Sequence, residues 1–117
     1  AREGGTIILA AACPEGTGSL HYEAWMAGGV HSFADVFARF KSEGFRIGPH
    51  KAYQIARDAS RARTLLLSEM PADFVRFLLL TPIDDLQAAV SRAVAGLPPG
   101  TRVGVMPIAN ATIPRLA

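Results

Sequence analysis

Two short motifs carry residue types suited to chemistry. The first is Cys13-Pro-Glu-Gly-Thr-Gly-Ser19. Gly16 and Gly18 permit a tight turn with exposed backbone N–H groups, and Thr17 and Ser19 add hydroxyls. A helix start just behind the loop adds partial positive charge, so a small anion is a ligand the loop suits. The spacing is neither a GxGxxG nor a Walker lysine loop, so the motif is weak as a nucleotide site. The same residues also read as a plain glycine turn with Ser19 as the helix cap. The second motif is Gly48-Pro-His-Lys-Ala-Tyr53. Pro49 stiffens a helix entrance at which His50 and Lys51 stand. The imidazole can bind a metal, shuttle a proton or donate a hydrogen bond. The competing role is a histidine that caps or packs on the helix start, with Lys51 in water.

Other chemistries find little support. His21, His31 and His50 show no i,i+4 pairing, and neither an HExxH motif nor a paired carboxylate set is present, so no metal site is expected. Cys13 is the only cysteine. It excludes an internal disulfide and a zinc site built on paired cysteines, and it reads as a buried, inert thiol in a reduced cytoplasmic setting. Trp25 and the phenylalanines read as core. Pro107–Pro114 is expected to follow the last strand, with Asn110 either at the ligand edge or on a surface tail.

These residues need elements to position them. Thr6–Ala12 is an unbroken apolar run of strand length. Ser19 is placed to cap a helix over about residues 20–27, ended by Gly28–Gly29. Ser32 opens a second helix, with Asp35 completing a partial capping box. Its stripe is Phe33, Val36, Phe37 and Phe40, and Gly44 ends it. A third helix is expected over about residues 51–62. Its small-residue stripe of Ala52, Ile55, Ala56, Ala59 and Ala62 suits close packing on a sheet. Thr64–Ser68 is a second strand, and Pro71 suits the first turn of another helix. Phe77–Leu80 is either a short strand or that helix's tail. Asp84 and Gln87 are expected to cap a helix with Leu86, Ala89, Val90, Ala93, Val94 and Leu97 on one face. Pro98–Pro99–Gly100 stops it, and Arg102–Met106 is the expected last strand. The alternation predicts an α/β domain: a small parallel sheet of three to four strands with helices packed on it, Rossmann-like and three-layered. The loops after the strands then share one edge, where ligands of such folds sit.

The chain's 117 residues suit one domain, with no linker or repeat to divide them. Half of the residues are hydrophobic, which a core requires and disorder does not permit. No apolar run reaches the roughly 20 residues of a membrane-spanning helix, and Thr6–Ala12 lacks a signal-peptide pattern. The 12 Lys and Arg residues against 10 Asp and Glu are scattered, which argues against nucleic acid as a partner. Ala1 in place of Met, followed closely by a strand, reads as an excised domain or a processed start.

Taken in order, Glu3-Gly-Gly-Thr-Ile-Ile-Leu9, the Cys13–Ser19 motif, Glu23-Ala-Trp25, the Gly48–Tyr53 motif and a final Val105-Met-Pro107 resemble the C-terminal domain of nickel-dependent lactate racemase and its relatives. The resemblance covers nearly the whole chain and rests on order and spacing. It implies a two-domain parent enzyme with its active site in the cleft between the domains. In that family a nickel-pincer nucleotide takes a hydride from C2 of a 2-hydroxy acid and returns it to the other face. The acid–base histidines, the nickel-ligating histidine and the anchoring lysine belong to the N-terminal domain and have no matching positions here. A family Tyr-Gln…Lys motif is expected just upstream of Ala1. Where His50 stands, lactate racemase carries a tryptophan beside substrate and cofactor. That difference points to another 2-hydroxy acid as substrate. The implied partners are the parent's N-terminal domain and the substrate. The implied cleft residues are His50, Lys51, Gly16, Thr17, Gly18 and Ser19. The rival reading is a stand-alone α/β binding module that holds a small anion at Gly16–Ser19.

Overall fold

The computed structural model describes residues 1–113. It is an α/β fold. Strand β1 (Thr6–Ala10) leads to helices α1 (Leu20–Ala27), α2 (Phe33–Glu43) and α3 (Pro49–Ala59). Strand β2 (Arg63–Leu67), helix α4 (Ala72–Phe77), strand β3 (Thr81–Ile83) and helix α5 (Leu86–Ala95) follow. A single 3₁₀ turn spans Ala109–Ala111. The sheet is parallel throughout, in the order β1-β2-β3, with Thr6 opposite Arg63 and Leu65 opposite Thr81. Among the described residues no helix is long and apolar enough to cross a membrane.

The helix starts follow from side-chain chemistry. Ser19 Oγ accepts from Tyr22 N–H, and Ser32 Oγ accepts from Asp35 N–H. Asp35 answers one residue outside the helix, accepting from His31 N–H at 3.0 Å. These contacts satisfy N–H groups that a helix's first turn leaves without partners. At the other end of α1, Arg39 takes over. Its Nη1 donates to the carbonyls of Trp25 (2.6 Å) and Gly28 (3.1 Å), and its Nε donates to Glu43. Trp25 Nε1 donates to the other Glu43 oxygen at 2.8 Å, and the guanidinium carbon lies 4.7 Å from the indole centroid. Helices α1 and α2 are thereby tied by one cluster of charge-assisted bonds.

The principal core lies among α1, α2, α3 and the end of α4. Tyr22, Trp25, Met26, Val36, Ala52, Ala56 and Leu78 are buried in it, and Phe33, Phe37, Phe40 and Phe74 pack against it. Full burial of a side chain such as Met26 or Val36 stabilises the fold by about 1.5–3 kcal/mol. Helix α5 crosses back and lies against β1, with Ala89 as its one buried residue.

Several sequence expectations are corrected. Helix α3 begins at Pro49, not Lys51, and its small-residue face meets α1 and α2 rather than the sheet. The small side chains bring three helices close, a packing that periodicity does not distinguish from packing on strands. Phe77–Leu80 is not a strand. The helix ends at Phe77, and Leu79 turns the chain with a positive φ of 63°. The third strand is Thr81–Ile83, which contains Pro82. An edge strand tolerates a proline where the missing N–H faces away from its neighbour. Asp85, not Asp84, caps α5 by accepting from Ala88 N–H, and Gln87 reaches Ser91 instead of closing a capping box. Arg102–Met106 is not a strand. It is irregular and exposed, although five-residue β1 has an open edge. The apolar stripe of α5 is only partly covered: Leu86, Val90, Val94 and Leu97 are exposed.

Candidate functional site

The loop after β1 and the entrance of α3 meet at the start of α1. Gly48 makes the meeting possible. It is buried, has φ +96°, and a Cβ built on it would stand 3.1 Å from His21 Cβ and 3.5 Å from both Ser19 Oγ and Tyr22 N. A side chain at position 48 would therefore be strained by its backbone and crowded by α1. Sequence reasoning singled out both motifs but had no means of showing that one packs on the other.

His50 is half-buried at the α3 entrance. Its Nδ1 accepts from Gly48 N–H at 3.0 Å, and its ring lies 5.5 Å from the Phe45 ring. Accepting at Nδ1 requires that nitrogen to be unprotonated, so in neutral imidazole Nε2 carries the proton and is a donor. The histidine thus does cap its own helix entrance, and it retains one nitrogen for a ligand. Lys51 is exposed beside it, and its backbone N–H closes a turn on Gly48 O. Phe45 and Ile47, on the approach to Gly48, are 72% and 83% exposed.

The Gly16–Ser19 loop is held mainly by its own bonds. Gly16 N–H donates to Cys13 O, Gly18 N–H to Glu15 O, and Ser19 N–H to Thr17 Oγ1. Thr17 Oγ1 donates to Glu23 Oε1 at 2.6 Å. Gly16 and Gly18 have positive φ values of 62° and 65°, which the two turns require. Among the described residues the N–H groups of Thr17, Leu20 and His21 have no partner. Three donors at a helix start suit an oxyanion. The Glu23 carboxylate beside Gly16 opposes one, so an anion fits better on the His21–His50–Lys51 side than over Gly16.

Cys13 is half-buried and free, with a positive φ of 51° where the chain leaves β1. Asn110 is exposed in the 3₁₀ turn; Pro114, the end of the segment containing it, lies outside the described residues. Among the described residues no three His, Cys, Asp or Glu side chains group together in a way that could hold a metal ion.

Two cavities escaped sequence reasoning. One, of about 470 Å³, opens at the ends of β2 and β3 and is lined by Ser68, Met70, Arg76, Ile83 and Asp84 among others. It depends on β3, which begins after the expected position. The other, of about 430 Å³, lies among Phe37, Phe40, Lys41 and Tyr53. Phe40 and Tyr53 stack there with centroids 4.7 Å apart. The first cavity includes no residue of the two motifs, and the second takes only Tyr53, the last residue of the Gly48–Tyr53 motif. Comparison of the chain with protein-family models, with curated proteins and with solved structures gives no match.

Proposed function

We propose that the chain is the C-terminal, cleft-forming domain of a nickel-pincer-nucleotide-dependent racemase or epimerase of 2-hydroxy acids, acting in the cytoplasm. The observation that carries the reading is the seating of Gly48 on the start of α1, which joins the Cys13–Ser19 and Gly48–Tyr53 motifs in one place. Exposed Phe45 and Ile47 beside His50 support it, because they give the parent's N-terminal domain an apolar surface to cover. In this proposal the N-terminal domain holds the cofactor, which supplies hydride transfer at C2.

This chain contributes binding and orientation. His50 Nε2–H donates to the substrate hydroxyl or carboxylate, and its bond from Gly48 N–H fixes the ring. Lys51 supplies a cation at the rim. The free N–H groups of Thr17, Leu20 and His21 receive a carboxylate oxygen. The test is His50→Ala in the full-length parent. It is expected to lower kcat/KM by about 1–3 kcal/mol, as loss of a charge-assisted contact does.

A second reading, a stand-alone module that binds a small anion at Gly16–Ser19, is favoured by the same three free N–H groups. Titration of the chain with phosphate and with lactate, followed by amide chemical shifts, separates the two. A stand-alone module responds at Thr17, Leu20 and His21 without any second domain.

A further inference from the structure

We infer that two copies of this chain exchange strands, the Arg102–Met106 segment of each adding to the open edge of β1 in the other. The inference stands on two unmatched sets of backbone groups. In the β1–β2 ladder Gly5 O accepts from Arg63 N–H, and Ala11 N–H donates to Leu67 O. A parallel ladder uses alternate residues, so Thr6, Ile8 and Ala10 turn their N–H and C=O groups to the empty side. That edge carries no charge, proline or bulge of the kind that guards exposed edges, and Leu9 on it is 41% exposed. On the other side of the exchange, residues 102–107 make no backbone hydrogen bond among the described residues. Val103, Val105 and Met106 are exposed without a covering element.

The segment matches β1 in length, and its apolar side chains match the half-covered α5 face that rises over β1. Pro98 and Pro99, with a turn closed by Thr101 on Pro98 O, separate α5 from the segment. A stiff connection of this kind projects a strand outward and leaves its own edge open, which is the arrangement that exchange between identical chains resolves. The radius of gyration is 15.2 Å, against about 13 Å for a compact domain of this length, in keeping with a projecting segment.

The experiment is sedimentation velocity across a dilution series of the chain, with amide hydrogen exchange read at 102–106 and at Thr6, Ile8 and Ala10. The expected result is a species of twice the chain mass that dissociates on dilution, with both sets of amides protected in the dimer. Val103→Pro with Val105→Pro removes backbone donors from a segment that makes no backbone hydrogen bond among the described residues. It is expected to weaken dimerisation about 100-fold or more while leaving the thermal transition of the monomer in place. A monomer with fast exchange at both sets overturns the inference. A monomer with protected 102–106 also overturns it, because the segment then closes on its own β1. A dimer unaffected by the two prolines places the interface elsewhere and overturns it as well.

Discussion

Tyr22 holds the least expected chemistry at the residue scale. It is buried, and its hydroxyl has no hydrogen-bond partner among the described residues. A buried hydroxyl without a partner costs about 1–3 kcal/mol, so Tyr22→Phe is expected to leave stability unchanged or raise it, as read by urea denaturation. Burial also pushes the phenol up from 10.0 to about 12. The folded state therefore keeps its proton where the unfolded chain has lost it. This contribution to stability is complete below pH 10 and is lost as pH rises towards 12. The phenylalanine variant should lack that part of the alkaline fall; an identical fall in both proteins would show that Tyr22 does not cause it. The sequence marked Tyr22 only as a helical position. Nothing in its spacing indicates that the ring enters the core while its hydroxyl goes unpaired. His50 was legible as a helix-entrance residue, but its bond from Gly48 N–H depends on the backbone turn at Gly48.

At the scale of elements, local rules succeeded where a side chain decides its own neighbourhood. Ser19 and Ser32 cap α1 and α2 as expected, and Gly44, at φ +77°, ends α2. They failed where distant packing decides. Helix α3 turned its alanines to other helices, and Thr81–Ile83 became a strand despite Pro82 because β2 offered it an edge. The cluster joining α1 to α2 was likewise invisible, since Trp25, Arg39 and Glu43 meet only once both helices are packed. The Arg39 bond, and then the Trp25 N–H, hold the Glu43 carboxyl below the usual carboxylate range. Its contribution is present above the unfolded carboxyl's pKa and is lost as pH falls through the lower folded value. Glu43→Gln should therefore flatten part of the acid limb of a stability–pH profile; an unchanged limb would exclude this cluster as its source. Gly48→Ala tests the seating of α3 on α1. With φ +96° and His21 Cβ 3.1 Å away, it is expected to destabilise the chain by about 1–3 kcal/mol in thermal unfolding, whereas Gly29→Ala meets no neighbour and carries only its backbone strain.

For the whole molecule, the alternation of apolar runs with helical stripes was enough to foresee a parallel α/β sheet. It was not enough to locate every strand, because Arg102–Met106 has strand composition but no neighbour. Two site motifs were readable one at a time, and their meeting at Gly48 was not. On the proposed reading the chain is a cleft wall without acid–base pairs of its own, which should bind and orient but not react. The chain alone, supplied with nickel-pincer nucleotide and D-lactate, is accordingly expected to give no L-lactate above a protein-free control.

The central claim is that His50 faces substrate in a two-domain parent, and steady-state kinetics of that parent with His50→Ala test it most directly. The account predicts a fall in kcat/KM on its 2-hydroxy acid of about 5–150-fold, corresponding to about 1–3 kcal/mol, with the melting temperature little changed. Unchanged kinetics, or a large fall in melting temperature with no kinetic defect, would contradict it and leave His50 as the cap of its own helix.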